Sequence, residues 1–370
     1  MLFYLWELLR DTRYAQLVNV FRYVPLRGPA AAVLAFLLSV GLGPWLIRLL
    51  RRWRIGQSIR KIEGEGNPDL SVMHGSKAGT PTMGGLLILL AIFVPCALFG
   101  NLGNRQTQIV LFATLWLGLL GFLDDYLMIK YANAKGLSVR AKLVGQVLLG
   151  LIIGVYVYLC PLAPEFATRI SFPFFKHLNP NLGWFYIPFA IIVLTGSSNA
   201  ANLCDGLDGL MIGTSMTTFL AYGAVVYLVD HPFLSGYLDV IRVPESKELA
   251  VFIGAVIGSG LGFLWYNAPP ADIFMGDTGS LALGGAVGTI ALLVKQEILL
   301  FIVGGVFVVE ALSVMIQVTS YKLFRKRVFR MTPIHHHFEM LGWPESKIVV
   351  RIWIISLIFA LIGLVTFKLR

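Results

Sequence analysis

The run IPFAIIVLTGSSNAANLCDGLDGLMIGTSMTTFLAYGAVVYLV, residues 187–229, is two apolar segments joined by a polar hinge. Each arm is close to the roughly 18–25 residues that cross about 30 Å of hydrocarbon as a helix. In the hinge, Asn199, Asn202, Asp205 and Asp208 fall three residues apart, beside Gly206 and Gly209. Carboxylates next to a bilayer are costly, so solvent, a cation, a substrate hydroxyl or a partner base must offset them. A helix entry needs one capping side chain, and four polar residues exceed that need.

The rest of the chain repeats the pattern. Its 370 residues are 57% hydrophobic and 14% charged, with a mean hydropathy of +0.76. A soluble domain is about 45–50% apolar and about 25% charged. Apolar runs at about 29–50, 82–100, 107–126, 143–160, 184–200, 209–229, 249–267, 279–295, 298–320 and 348–367 predict about ten spans. The expected fold is an all-α, polytopic membrane protein with one transmembrane domain over residues 1–370. Residues 1–28 interleave Trp6, Phe21 and Tyr23 with Glu7, Arg10, Asp11, Arg13 and Arg22. That mixture reads as an interface-lying N-terminal segment, not a cleaved signal. Cys96, Cys160 and Cys204 are too scattered for a disulfide framework or a thiolate metal site.

Basic residues cluster at 51–61, 130–142 and 321–330, after spans one, three and nine. The positive-inside rule puts those loops in the cytoplasm and both termini outside. The net charge of +10 therefore reads as membrane orientation, not as a nucleic-acid footprint. The unusual polar stretches all fall in the five loops on that side, at 51–81, 124–142, 200–208, 268–278 and 321–347. A site facing the cytoplasm at the membrane surface is expected.

Asp124 and Asp125 end the third span, Asp277 precedes the eighth, and Asp205 and Asp208 lie at a third boundary. Such carboxylates among basic residues have the composition of a divalent-metal and phosphate site, and Mg²⁺ needs only one or two of them plus phosphate oxygens and water. Lys77, with threonines and paired glycines, suits an anion but lacks the Walker A order. His335, His336 and His337 cannot all face one ion, and HExxH spacing is absent, so they read as donors to phosphate or sugar oxygens. Glu310, inside a span, suits either a proton relay or a pairing with a polar neighbour. Asn267, Phe274 and Gln317 taken singly read as packing.

Taken in order, SKAGTPTMGG (76–85), FLDDY (122–126), NAANLCDGLDGL (199–210), FMGDTGSLALGG (274–285) and PIHHHFE (333–339) resemble the phospho-N-acetylmuramoyl-pentapeptide transferase family. The resemblance runs from about residue 25 to the end, within the wider superfamily of polyprenyl-phosphate sugar-1-phosphate transferases. It implies transfer of phospho-MurNAc-pentapeptide from UDP to undecaprenyl phosphate, giving lipid I and UMP, in a Mg²⁺-dependent homodimer of the bacterial inner membrane. It also implies that Asp124, Asp125 and Asp277 are the essential carboxylates, with Asp277 on the metal. Lys77, Asn202, Asp205, Asp208, Asn267, Phe274, Gln317, His335, His336 and His337 would line the nucleotide and phosphate site.

Two departures from the family pattern stand out. Met128 replaces a lysine common in relatives, and residues 63–73 (EGEGNPDLSVM) are additional. Phosphoryl transfer asks mainly for positioning and charge neutralisation. The acceptor phosphate, with a second pKa of about 6, needs no strong base, so Asp124 is expected to orient it or take its residual proton. A sister enzyme moving GlcNAc-1-phosphate would share these features. A secondary transporter would instead hold its polar residues near the membrane midplane.

Overall fold

A computed structural model describes residues 1–12, 14–53, 79–131, 136–161, 163–175 and 178–368. Lys77 and the additional residues 63–73 lie outside that set. After the short α1 (Leu2–Leu9), the long helices follow the apolar runs: α2 (Val24–Arg52), α3 (Gly85–Phe99), α4 (Arg105–Lys130), α5 (Val139–Leu159) and α6 (Tyr186–Cys204). After the hinge come α7 (Leu210–Asp230), α8 (Leu249–Asn267), α9 (Gly276–Leu293), α10 (Gly305–Phe324), the short α11 (Ile334–Glu339) and α12 (Glu345–Val365). Among the described residues, nine helical stretches are long and apolar enough to span a membrane, and α3 is a shorter tenth. The chain is an all-α, multi-pass membrane protein, as its composition requires.

α9 is the axis of the bundle. Every residue from Thr278 to Leu293 is buried, because Gly, Ala, Ser and Thr dominate the segment and let neighbouring backbones approach. α4 and α6 pack along it, α5 lies outside α6, and α2 pairs with α8.

Several boundaries differ from the sequence expectation, and the differences bear on the site. α4 runs on to Lys130, so Asp124 and Asp125 lie within a helix instead of at its end. α9 starts at Gly276, which puts Asp277 in its first turn instead of in the preceding loop. α2 begins at Val24, so the N-terminal segment is shorter than 1–28 and Arg27 belongs to a span. There Arg27 is buried and bonds Glu248 through two contacts of 2.7 and 3.0 Å and the Phe99 carbonyl at 3.0 Å. A charge buried near a membrane persists only with such a bidentate partner.

The Met1 ammonium donates to the Ala97 and Leu98 carbonyls at the far end of α3, and Lys368 reaches the Tyr237 hydroxyl beyond α7. Both described ends of the chain thus lie opposite the aspartates.

Candidate active site

Four helices deliver the polar side chains to one end of the bundle. Asp125, from α4, is 1% exposed and has both oxygens engaged by the start of α9. Oδ1 accepts from the Asp277 amide at 3.1 Å, and Oδ2 accepts from the Thr278 amide at 3.0 Å and its hydroxyl at 2.6 Å. It acts as an N-cap supplied by another helix, satisfying amides that a helix start leaves without partners.

Asp124, one residue earlier, faces a different way. Its Oδ1 accepts from the Leu137 amide at 2.6 Å, and its Oδ2 lies 3.1 Å from Lys142 Nζ. Lys142, in the first turn of α5, also pairs closely with Asp277 Oδ2. Asp277 Oδ1 accepts from Asn202 Nδ2 at 2.7 Å, and that amide also donates to Ser280 Oγ at 2.9 Å. Asp124 and Asp277 lie within hydrogen-bonding reach of each other. Two carboxylates that close repel unless a cation stands between them, and Lys142 supplies one positive charge there.

Asp205 follows the end of α6 and is half-buried, with its carboxyl enclosed by protein. Burial, followed by the charges of Asp277, Asp125 and Asp208, pushes its pKa up to about 8, while a hydrogen bond from the Gly276 backbone opposes the rise. The linkage has a definite sign. A carboxyl raised from 3.8 to about 8 stabilises the fold fully below the lower value and loses that contribution as pH rises through the upper one. Asp205→Asn is therefore expected to melt higher than the parent at pH 9 in EDTA, with the gap narrowing towards pH 5. A gap that did not change with pH, in a melting series in detergent, would remove Asp205 from the buried carboxylate set.

The rest of the hinge is tied to the 268–275 loop. Asp208 Oδ2 accepts from the Ala271 amide at 3.0 Å, and the Asp208 amide donates to Glu345 Oε1 at 2.8 Å. Asn267 accepts from the Gly209 amide at 2.9 Å and donates to the Ile273 carbonyl at 2.8 Å. Phe274 is half-buried, and its backbone pairs with Pro81 and Gly84 at 2.8 Å each. The described part of the glycine–threonine loop is thereby docked beside Asp277. These contacts bring Asn202, Asp205, Asp208, Asn267 and Phe274 together around the carboxylates.

Gln317 and the histidines are engaged separately. Gln317 accepts from the Val328 and Phe329 amides at 3.0 Å each and donates to the Phe329 carbonyl at 3.1 Å, closing the turn after α10. The three histidines lie on α11 and each has its own partner. His335 Nδ1 meets Glu310 Oε2 at 3.0 Å, His336 meets Glu339 at 2.5 Å, and His337 Nδ1 accepts from the Arg330 amide at 3.2 Å. Glu310 is thus a paired carboxylate held by a residue of the site end, not a lone midplane group. His335 is fully buried beneath the hinge, where a Cβ on Gly206 would overlap its Nε2.

Lys142 is the residue that sequence reasoning missed; it was legible only as one member of a basic cluster. Met128 packs near Gly136. Among the described residues no three His, Cys, Asp or Glu side chains form a metal cage. The donors that do converge are hard carboxylate oxygens in excess of the one ammonium. That set fits a divalent ion such as Mg²⁺, which takes one or two carboxylates and fills its remaining positions with phosphate and water.

Residues 107–295 match the model of glycosyl transferase family 4. Residues 77–89 match the phospho-N-acetylmuramoyl-pentapeptide-transferase signature 1. Curated proteins named phospho-N-acetylmuramoyl-pentapeptide-transferase are similar over nearly the whole length. The one from Solidesulfovibrio magneticus is 49% identical over 95% of this chain and 96% of its own. Those from Pelobacter propionicus and a Geobacter strain are each 50% identical over 96% of both chains. With half the residues shared end to end, and the family's signature at the loop docked against Asp277, the chain belongs to the phospho-N-acetylmuramoyl-pentapeptide transferase family.

Proposed function

We propose that this protein transfers phospho-MurNAc-pentapeptide from UDP-MurNAc-pentapeptide to undecaprenyl phosphate, releasing UMP and forming lipid I. The site would face the cytoplasm from a bacterial inner membrane, in a homodimer carried over from the resemblance. The observation that carries the reading is the meeting of Asp124, Asp277 and Lys142 at the end of the bundle where the described residues of the basic clusters lie. A lipid-borne acceptor and a water-soluble donor can meet only at such a boundary.

Each residue then has a task. Asp277, oriented by Asn202, would hold Mg²⁺, with Asp124 and the Asp205 carboxyl, pushed up to about 8, close by. The ion, when bound, neutralises diphosphate charge as it develops on the leaving group. Lys142 would release the carboxylates and turn its ammonium to a phosphate oxygen, as oriented cations do in phosphoryl transfer. Asp124, with one oxygen held by the Leu137 amide and the other 3.1 Å from Lys142 Nζ, would orient the acceptor phosphate or take its residual proton once that ammonium turns away. Asp125 serves the site indirectly, by capping the helix that carries Asp277.

The test is UMP release by protein purified in detergent, supplied with UDP-MurNAc-pentapeptide and undecaprenyl phosphate. UMP and a lipid-linked sugar are expected with Mg²⁺, and a fall to background with EDTA. UMP from UDP-GlcNAc alone would move the protein to the sister reaction. Undiminished activity in EDTA would refute the role given to the metal.

A further inference from the structure

Lys142 reaches both Asp124 and Asp277, yet the helix that carries it is attached to the bundle mainly from the other side. α5 packs along α6 and only lightly on α4, where Trp116 Nε1 donates to the Gly145 carbonyl at 2.9 Å. The register of α5 against α6 therefore decides where the ammonium lies. On α5 the contact is a stripe at every fourth residue, Gln146, Gly150 and Gly154, and Lys142 continues the same spacing one turn nearer the site. At the end away from the site the stripe is smooth, with Gly150 against Ile191 and Gly154 against Ile187 and Ala190. Contacts of that kind let the two backbones approach closely.

One turn below Lys142 the character changes. Gln146 Nε2 donates to Asn199 Oδ1 at 3.2 Å and to Ser198 Oγ at 3.0 Å. Asn199 Nδ2 returns a bond to Gln146 Oε1 at 2.8 Å and gives its second hydrogen to the Thr195 carbonyl at 2.8 Å. All four amide hydrogens are used, so the pair has no donor left to offer a ligand. Asn199 lies three residues before Asn202, which orients Asp277. The reciprocal bond thus joins the helix bearing the ammonium to the helix bearing the amide that orients Asp277.

We propose that Gln146 and Asn199 are positioning residues for the transfer reaction, locking α5 to α6 so that the Lys142 ammonium stays within reach of the Asp124–Asp277 cluster and the phosphate bound there. The pair touches no substrate and acts only through Lys142 and Asn202. The inference rests on the proposed role of the Lys142–Asp277 cluster. Misplacing a charged group by about 1 Å can cost about a hundredfold in rate. Unlike a loss of binding, such an error lowers kcat more than it raises KM.

The experiment uses the full chain in detergent and follows UMP release with Gln146→Leu, Asn199→Leu and the paired exchange Gln146→Asn with Asn199→Gln. The exchange shortens one side chain by the methylene it adds to the other. Each single change is expected to lower kcat about 10- to 100-fold with KM for the UDP donor within about threefold, and the exchange to recover most of the loss. Ile191→Ala loosens the same helix contact away from the site, and it is expected to lower the melting temperature while keeping kcat.

If Asn199→Leu does not fold, Gln146→Leu and the exchange decide the matter. Full kcat in Gln146→Leu, no recovery in the exchange, or an equal kcat loss in Ile191→Ala would overturn the proposal. An active Asp277→Asn enzyme would instead undo the reading of the cluster itself, whereas an inactive one beside an active Gln146→Leu would sink only the lock.

Discussion

Asp277→Asn should fold, insert and melt close to the parent, yet lose about 10²- to 10³-fold in turnover. The substitution is isosteric, and an asparagine Oδ1 still accepts from Asn202 Nδ2 as the carboxylate does at 2.7 Å. The start of α9 is also held independently, because Asp125 satisfies the amides of residues 277 and 278. What disappears is the charge that pairs with Lys142 and that would bind the metal. Removing one preorganised electrostatic group of this kind typically costs about 3–4 kcal/mol of transition-state stabilisation. The contrast with Asp125→Ala makes the result specific. That variant leaves the amides of α9 without a buried partner and is expected to lower the melting temperature as well as the rate. Should Asp277→Asn retain more than about a tenth of the parent's kcat, the reactive centre would have to lie elsewhere.

Gly121→Ala is expected to lower kcat about a hundredfold although residue 121 has no functional group. One turn before Asp124 and Asp125, α4 passes directly against the backbone of α9. A Cβ at Gly121 would overlap the Asp277 carbonyl and lie 2.6 Å from the Thr278 amide nitrogen. Backbone cannot rotate away as a side chain can, so the two helices must part. Overpacking of this sort costs about 1–3 kcal/mol of stability. The same displacement carries Asp277 away from Asp124 and Lys142. Gly41→Ala is the control: it sits mid-helix in α2 with open space around its Cβ position, so both kcat and melting temperature should hold. Equal kcat in the two alanine variants would show that the α4–α9 approach does not set the site.

Much of this architecture was legible along the chain. Apolar runs of membrane length announced nearly every helix, because burial in hydrocarbon depends on local composition alone. The carboxylates stood out for the same reason, since Asp124, Asp125, Asp205, Asp208 and Asp277 interrupt or border sequence that is otherwise apolar. Boundaries were harder. α4 continues to Lys130 past two aspartates because both are satisfied by groups from outside the helix, which local hydropathy cannot register. The triple histidine was already unfit, by its spacing, to face one ion. On the turn of α11 the three rings separate, and each takes a different partner.

Lys142 shows where sequence reading stops. Beside Lys130 and Arg140 it looks like one more orienting charge, and only its place in the first turn of α5 brings it between Asp124 and Asp277. Gln146 is similarly unremarkable until α5 and α6 lie side by side and it meets Asn199. By itself the sequence determined the membrane-spanning class, the order of the helices, the pool of carboxylates and the family. Tertiary structure alone decided the division of labour within that pool, with Asp125 capping a helix, Asp124 and Asp277 sharing an ammonium, and burial pushing the Asp205 carboxyl up to about 8. The reason is physical: hydropathy is a property of consecutive residues, whereas the state of a buried charge depends on neighbours that the chain supplies from far away, here as much as 153 residues apart between Asp125 and Thr278.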